Sequence, residues 1–230
     1  MVDRTVLVTG GTGALGVAVA RELAAAGWRV VATARQPGDR PGGLPDGVEV
    51  VAADLLEGAA VERVLGVAAG DAAAPLRAVA NLVGGYAGGT RVHETPVEAF
   101  EAQLSLNLRP AFLVTRAALP HLLGAGGGAL VYVASRAAVQ PFARAAGYVT
   151  SKAALLAFAQ AVAVEYRADG VRANTVLPSV IDTPANRAAQ PHADTSRWVP
   201  PEQIARVIRF LCSEDSAPTS GAAIPVYGRA

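Results

Sequence analysis

The sequence predicts one α/β domain, a doubly wound, seven-stranded parallel sheet with helices on both faces. Apolar runs of strand length alternate with longer helical segments along the whole chain, without a repeat or a linker. Hydrophobic residues make up 52% of the chain and charged residues only 17%, a balance that suits strands buried on both faces. A length of 230 residues is normal for this class, so we expect residues 1–230 to form a single domain.

The first predicted strand, residues 5–8, runs directly into a glycine-rich turn and then into a helix. Gly11, Gly13 and Gly16 match the pattern G-x-G-x-x-G. Such glycines permit the tight turn, let backbone N–H groups approach a pyrophosphate and allow close helix packing, while the helix N-terminus favours the anion. The turn therefore predicts dinucleotide binding. A glycine-rich turn with no ligand is the alternative.

The second predicted strand, residues 29–34, is followed by Arg35. NAD-binding chains usually place a carboxylate about twenty residues past the glycine pattern, where it holds the ribose 2′-hydroxyl. An arginine at this point can instead hold a 2′-phosphate through charge-assisted hydrogen bonds. Arg35 therefore favours NADP(H). NAD(H) stays open, because Arg35 can equally be a solvated side chain.

The next two strands end in segments with candidate binding roles. Asp54 follows the predicted strand at residues 48–53, and it can either cap the helix predicted at residues 57–69 or contact adenine. The fourth strand, residues 76–83, is closed by the glycine-rich loop 84–89. That loop suits a close approach of the backbone to a ligand.

A long helix is predicted to begin at Thr95, which forms a capping box with Glu98. Pro110 lies inside this helix and removes the hydrogen bond to the carbonyl of Leu106. We expect a local kink that frees carbonyl groups beside Asn107 for a water or a side chain. A proline tolerated only for packing is the alternative.

The strongest catalytic candidates lie between residues 135 and 152. Ser135 directly follows the apolar run 129–134, which predicts a buried strand, so it lies at the ligand-binding edge of the sheet. Tyr148 and Lys152 are four residues apart on a predicted helix and share a face. A neighbouring ammonium favours the phenolate, and lowering the Tyr148 pKa by roughly two to three pH units would make it an acid and base near neutrality. The alternative is a half-buried tyrosine beside a solvated lysine.

The last third of the chain continues the alternation. A sixth strand is predicted at residues 171–177, a helix at 202–212 and a last strand at 222–227. Residues 178–200 between them are irregular and polar. We expect residues 184–200 to form a lid over the substrate.

Bulk properties argue against several function classes. A net charge of +1 without a basic run argues against nucleic acid as a partner. No run of 18 apolar residues lacks charges or glycines, so no membrane span is expected. The single Cys212 allows no internal disulfide, and the first strand begins too early for a signal peptide, so a cytoplasmic protein is expected. His93 has no partner at metal-ligand spacing, and no metal site is expected.

Taken together, the motifs resemble the short-chain dehydrogenase/reductase family over essentially the whole chain. The matching positions are Thr9, Gly10, Gly13, Gly16, Asn81, Gly84, Asn107, Ser135, Tyr148, Lys152, Pro178, Ile181, Asp182, Thr183 and Pro184. The resemblance implies a Rossmann-type fold and an NAD(P)H-dependent oxidoreductase that reduces a ketone or oxidises the corresponding alcohol by hydride transfer. It also implies a small-molecule substrate and a homodimer or homotetramer.

The resemblance assigns a role to each catalytic position. Tyr148 is the general acid and base, and Lys152 binds the nicotinamide ribose and lowers the tyrosine pKa. Ser135 hydrogen-bonds the substrate oxygen, and Asn107 holds a water that extends a proton path from Lys152. The implied cofactor-binding residues are Gly10, Thr12, Gly13, Ala14, Leu15, Gly16, Arg35, Asp54, Leu55, Asn81, Val83, Gly84, Tyr148, Lys152, Pro178, Ile181 and Thr183.

The substrate side is less well defined by the sequence. Tyr86, Phe142 and Trp198 are the candidate substrate residues, with His93 and Arg187 as further pocket candidates. The loop 84–89 and the run from 177 onwards also resemble dihydropteridine reductases, which reduce a C=N bond in a pterin, typically with NADH. A C=N reductase for a pterin or cyclic imine is therefore one alternative, and a non-catalytic NADP-sensing regulator is another.

Overall fold

The computed structural model describes residues 2–229, in which seven parallel strands form one sheet in the order β3-β2-β1-β4-β5-β6-β7. The strands are β1 (Thr5–Thr9), β2 (Arg29–Ala34), β3 (Glu49–Ala52), β4 (Leu76–Asn81), β5 (Gly128–Val133), β6 (Val171–Pro178) and β7 (Ala223–Val226). The chain first winds outward from β1 to β3 and then crosses back to β4. The order of the strands therefore reverses between β1 and β4, and the predicted doubly wound fold is confirmed.

The structure has six α-helices in residues 2–229. They are α1 (Ala14–Ala25), α2 (Gly58–Ala69), α3 (Val97–Gly124), α4 (Ala146–Glu165), α5 (Pro184–Ala189) and α6 (Pro201–Cys212). Of these, α1, α2, α3, α4 and α6 cover the two faces of the sheet. Most boundaries lie within a few residues of those predicted, because the apolar periodicity that marks each element is local in sequence.

Two apolar layers hold the helices to the sheet, one on each face. Alternate residues of one strand serve the two layers, so Leu7 packs with α2, α3 and α4 while Val6 and Val8 pack with α1 and α6. All three side chains are fully buried. This two-sided burial is the physical reason for the long apolar runs in the sequence.

Two local predictions are corrected. Thr95 does not cap α3: the N-cap is Pro96, and the Thr95 hydroxyl donates to the carbonyl of Arg91 at 2.8 Å. The capping box forms one turn earlier, where the Glu94 carboxylate accepts from the Arg91 N–H at 3.1 Å. The segment 178–200 is also more regular than expected, because Thr183 caps the short helix α5 by accepting from the N–H of Asn186 at 3.1 Å.

Helix α4 is the one helix in residues 2–229 that is long and apolar enough to cross a membrane by length and composition alone. It packs against α3 and β6, and it buries Ser151, Lys152 and Leu155. Core helices of this kind share the length and apolarity of membrane spans, so these two properties do not indicate a span here.

Candidate active site and cofactor cleft

A cleft of about 560 Å³ opens between β1 and β4, where the strand order reverses, at the carboxyl ends of the strands. In open α/β sheets, ligands bind at this reversal of strand order. Most of the predicted cofactor-binding residues line the cleft, namely Gly10, Thr12, Gly13, Ala14, Leu15, Gly16, Arg35, Asp54, Leu55, Val83, Gly84 and Thr183. Their binding roles remain predictions.

The glycine-rich turn is shaped for a phosphate group. Gly13 is the N-cap of α1 without a side-chain capping bond, and no acidic residue lies in the first turn of α1. The first N–H groups of α1 are therefore free for an anion. A Cβ on Gly16 would lie 2.2 Å from the carbonyl oxygen of Gly10, so only glycine lets α1 approach the turn this closely.

A buried amide without a partner also fits a bound dinucleotide. Asn81 ends β4, is 4% exposed, and neither its Oδ1 nor its Nδ2 has a hydrogen-bond partner. A buried polar group without a partner costs free energy, so such groups in native proteins usually meet a ligand or a water. The residues at the cleft therefore fit the dinucleotide that the motifs imply.

Arg35 is exposed at the end of β2, where it lines the cleft. Within residues 2–229 it forms no ion pair, so its guanidinium is available to a phosphate. Asp54 does not cap α2, whose N-cap is Glu57. Its Oδ1 instead accepts from the N–H of Leu56 at 3.0 Å, which holds the turn that forms one wall of the cleft.

Several wall residues were not predicted from the sequence. The Thr33 hydroxyl accepts from the N–H of Gly10 at 2.9 Å and holds the turn in place. The position of Thr33 next to the end of a predicted strand was the feature of the sequence that could have identified it. Leu82, Leu106 and Pro110 also line the cleft. A single sequence carries no signal that separates apolar wall residues like these from the core.

The three strongest catalytic candidates meet beside the cleft. Ser135 is 8% exposed, and its hydroxyl lies close enough to the Tyr148 phenol to lower the pKa of that phenol. Lys152 is 5% exposed, and its Nζ donates to the carbonyl of Val133 at 3.0 Å, at the end of β5. A Cβ on Gly84 would lie 2.9 Å from the Lys152 Nζ, which places this ammonium against the cleft wall.

The electrostatics of Tyr148 differ from the sequence-based expectation. Burial raises the pKa of Tyr148 above its usual value, and the hydrogen bond from Ser135 only partly opposes this. Lys152 is held by the Val133 carbonyl, and burial lowers its own pKa to about 8. The expected lowering of the phenol pKa is therefore wrong for the protein without cofactor, because desolvation outweighs the opposing effect of Ser135.

The side chain of Asn107 is saturated by protein groups. Its Oδ1 accepts from the N–H of Gly85 at 2.9 Å, and its Nδ2 donates to Gly85, Gln103 and Ser151 at 3.0–3.1 Å. Asn107 thus ties the loop after β4 to α3 and α4. The carbonyl of Leu106 lacks the donor that Pro110 cannot supply, so a water here would bind main-chain oxygen rather than the amide.

Two of the predicted substrate residues stand next to Tyr148. The ring of Tyr86 contacts that of Tyr148 edge-on, with 5.1 Å between centroids, and the Phe142 ring lies 6.1 Å from Tyr86. Trp198 lies in neither this cluster nor the cleft wall. Its backbone carbonyl faces Gly228 near the carboxyl end of the chain.

The segment after β6 forms the far wall of the cleft. An isolated parallel bridge joins Ile181 to Val199, and the carbonyl of Ile181 accepts from Asn186 at 2.8 Å. Arg187 does not face the cleft, because its guanidinium forms two hydrogen bonds to Asp182 at 2.5 and 2.8 Å. The Thr183 hydroxyl keeps its own proton available to a ligand, since it only accepts from the protein.

Comparison with known proteins agrees with this architecture. A model of the short chain dehydrogenase family matches residues 4–194. The chain is 32% identical over 235 residues to the 3-oxoacyl-[acyl-carrier-protein] reductase MabA of Mycobacterium tuberculosis, over 99% of this chain and 92% of MabA. It is 31% identical over 242 residues to the L-xylulose reductase of Bos taurus, over 99% of this chain and 96% of that protein.

The fold has close counterparts among solved structures. A short-chain type dehydrogenase/reductase from Mycobacterium ulcerans superposes with a TM-score of 0.92 at 26% identity, over 100% of this chain and 90% of that one. The family match spans most of the chain, and both relatives align over nearly their full lengths. The chain therefore belongs to the short chain dehydrogenase family of NAD(P)(H)-binding oxidoreductases.

Proposed function

We propose that this protein uses NADP(H) to reduce a ketone, or to oxidise the corresponding alcohol, with Tyr148 as proton donor and acceptor. The observation that carries the proposal is the meeting of Ser135, Tyr148 and Lys152 beside Gly84, at the wall of the dinucleotide cleft. A sensor of the dinucleotide needs only the glycine-rich turn, whereas a phenol, a hydroxyl and an ammonium at the cleft wall suit proton transfer.

The chain offers a holding group for each charged part of the cofactor. The free N–H groups at the start of α1 would hold the pyrophosphate, and Arg35 would hold the 2′-phosphate. When bound, the nicotinamide supplies the hydride for reduction and accepts it in oxidation. Asn81 would pair its buried amide with a polar group of the same ligand.

Tyr148 moves the proton that balances the hydride. In reduction its hydroxyl proton goes to the carbonyl oxygen, and in oxidation the phenolate takes the proton of the alcohol. Ser135 donates a hydrogen bond to the same oxygen as negative charge develops on it. Burial keeps Tyr148 protonated at neutral pH, so it is ready to donate. Lys152, with a pKa of about 8, can then return a proton to the phenolate.

The names of the two relatives point to different substrates at nearly equal identity, an acyl thioester bound to a carrier protein and a sugar. Overall identity therefore does not select between substrate classes.

We also propose that residues 184–200 close over the substrate, since α5 begins at the cleft wall.

We further propose that the protein forms a homodimer or homotetramer. The exposed ring of Phe112 lies 6.0 Å from Phe158 at the surface of α3 and α4, and this apolar surface suits a contact between subunits.

The direct test is a substrate panel with NADPH. We expect NADPH oxidation with ketones and none with quinonoid dihydropterin, because Ser135 and Tyr148 are placed to serve a carbonyl oxygen. Turnover of the pterin but of no ketone would instead establish C=N reduction. Tight NADPH binding without turnover of any compound would contradict an enzymatic role.

Cofactor preference is tested by Arg35→Asp. We expect this variant to lose about 10- to 100-fold in affinity for NADPH, because it replaces a charge-assisted contact with repulsion of the 2′-phosphate. Affinity for NADH should change little. The measurement is fluorescence titration of both cofactors, with the exposed Arg206→Asp on α6 as the charge-matched control. An equal loss for NADPH and NADH would remove Arg35 from cofactor selection.

A further inference from the structure

A second groove, of about 420 Å³, lies outside the cofactor cleft. It is lined by Arg91, Val92, His93, Ala143 and Arg144. The first three residues come from the loop between β4 and α3, and the other two come from the loop that leads into α4. The groove is therefore formed by the two loops that carry the aromatic residues next to Tyr148.

The two loops are joined by a backbone hydrogen bond to Arg144, a residue with an unusual backbone conformation. Arg144 has a φ of 62°, the single positive φ of a non-glycine residue in the described chain. Its carbonyl accepts from the N–H of Gly89 at 2.7 Å. A long side chain in the left-handed region is strained, and such strain persists where the surroundings impose it, often at a ligand site. The strained backbone conformation therefore fixes where the Arg144 side chain leaves the main chain, at the edge of the groove.

The charge of the groove is positive and largely uncompensated. Arg91 and Arg144 are exposed, and neither guanidinium forms an ion pair with a carboxylate among residues 2–229. One carboxylate lies at the groove, that of Glu94, which accepts from the backbone N–H of Arg91 at 3.1 Å and lies 3.8 Å from His93. The groove thus offers two free guanidinium groups, which match the geometry of a carboxylate or phosphate.

The groove lies close to the residues around Tyr148. A Cβ on Gly88 would lie 2.6 Å from the Arg144 carbonyl and 2.7 Å from the hydroxyl of Tyr86. The Tyr86 ring in turn contacts Tyr148 at 5.1 Å. The exposed rings of Tyr86 and Phe142 therefore lie in the same two loops as the arginines, with Tyr86 against Tyr148.

We propose that the groove binds the anionic end of the substrate, so that the substrate is a ketone or alcohol carrying a carboxylate or phosphate several bonds from the reacting carbon. This inference rests on the proposed function. Arg91 and Arg144 hold the anion, the rings of Tyr86 and Phe142 cover the connecting chain, and the carbonyl lies at Tyr148. The two arginines are then specificity-determining residues, and they take no part in proton or hydride transfer.

The test measures binding to the NADP⁺ complex with matched pairs of compounds. The probes are 4-oxopentanoate, 6-oxoheptanoate and 8-oxononanoate, each beside its primary amide, because the distance between Tyr148 and the two arginines sets which homologue fits. We expect at least one acid to bind about tenfold more tightly than its amide, since only the acid pairs with the arginines. The difference should shrink as salt rises.

The variants are Arg91→Ala and Arg144→Gly, the second because glycine accepts the positive φ. Each should weaken binding of the acid about tenfold and leave the amide unchanged, while Arg206→Ala should change neither. An acid that binds no better than its amide, or a preference that survives both variants, overturns the proposal, and so does the failure of every acid to bind. The proposed function fails separately, if NADPH reduces neither the probes nor any neutral ketone.

Discussion

Replacing Tyr148 with phenylalanine should lower kcat by about 10²–10⁴-fold, the contribution typical of a positioned general acid. The substitution removes the hydroxyl that we propose as the proton donor and leaves Ser135 in place. The ring remains, so its edge-on contact with Tyr86 and the shape of the site are kept. The Kd for NADPH should therefore stay nearly unchanged.

The measurement is steady-state turnover in both directions, together with a cofactor titration. Because burial raises the pKa of Tyr148, the phenol is protonated at neutral pH. Reduction needs the protonated form and oxidation the ionised one, so the oxidation rate of the wild type should rise with pH while reduction falls. Tyr166→Phe, at the end of α4, is the matched control. Unchanged kcat in Tyr148→Phe would remove this residue from the mechanism.

Replacing Lys152 with methionine should impair both turnover and cofactor binding. The ammonium lies against Gly84 at the cleft wall, so under the proposed function its loss would remove a charge-assisted contact to the cofactor as well as a proton source for Tyr148. We expect NADPH affinity and kcat each to fall about 10- to 100-fold. This pattern differs from that of Tyr148→Phe, and a titration that shows unchanged NADPH affinity would contradict it.

The same variant tests the buried charge through stability. Burial lowers the Lys152 pKa to about 8 in the folded protein, while the unfolded value is near 10.4. Between these values the unfolded state binds more protons, so the free energy of unfolding rises with pH. Relative to Lys152→Met, the wild type should gain about 2 kcal/mol between pH 8 and pH 10, measured by urea denaturation. Parallel pH profiles for the two proteins would show that Lys152 has an ordinary pKa.

Much of this fold is readable from local pattern. Strand runs of four to eight mostly apolar residues and helices with 3.6-residue periodicity are set by neighbouring residues, so the order of the elements is accessible without coordinates. The glycine-rich turn is predictable for the same reason, because the close contacts of Gly16 are with Gly10 and Gly11 of the same segment. Thr95 shows the limit: its hydroxyl donates to the carbonyl of Arg91 instead of capping α3, which begins after Pro96.

The chemistry of the site depends on residues that are distant in sequence. The pKa of Tyr148 is set by how deeply α4 is buried, and the Asn107 amide is filled by Gly85 and by Ser151, which is 44 residues away. Arg91 and Arg144 line the same groove only because two loops that are distant in sequence meet there. A pattern within one segment contains none of this information.

The sequence by itself determined the doubly wound fold and the glycine-rich turn, and it named the candidate catalytic side chains, because all three follow from local periodicity, residue type and motif. Only the tertiary structure decided that Tyr148 is held as an acid rather than a phenolate, that Lys152 is held by a strand carbonyl, and that two arginines face one groove. The physical reason is that desolvation and hydrogen-bond partners are properties of the assembled core and loops, which no single segment possesses.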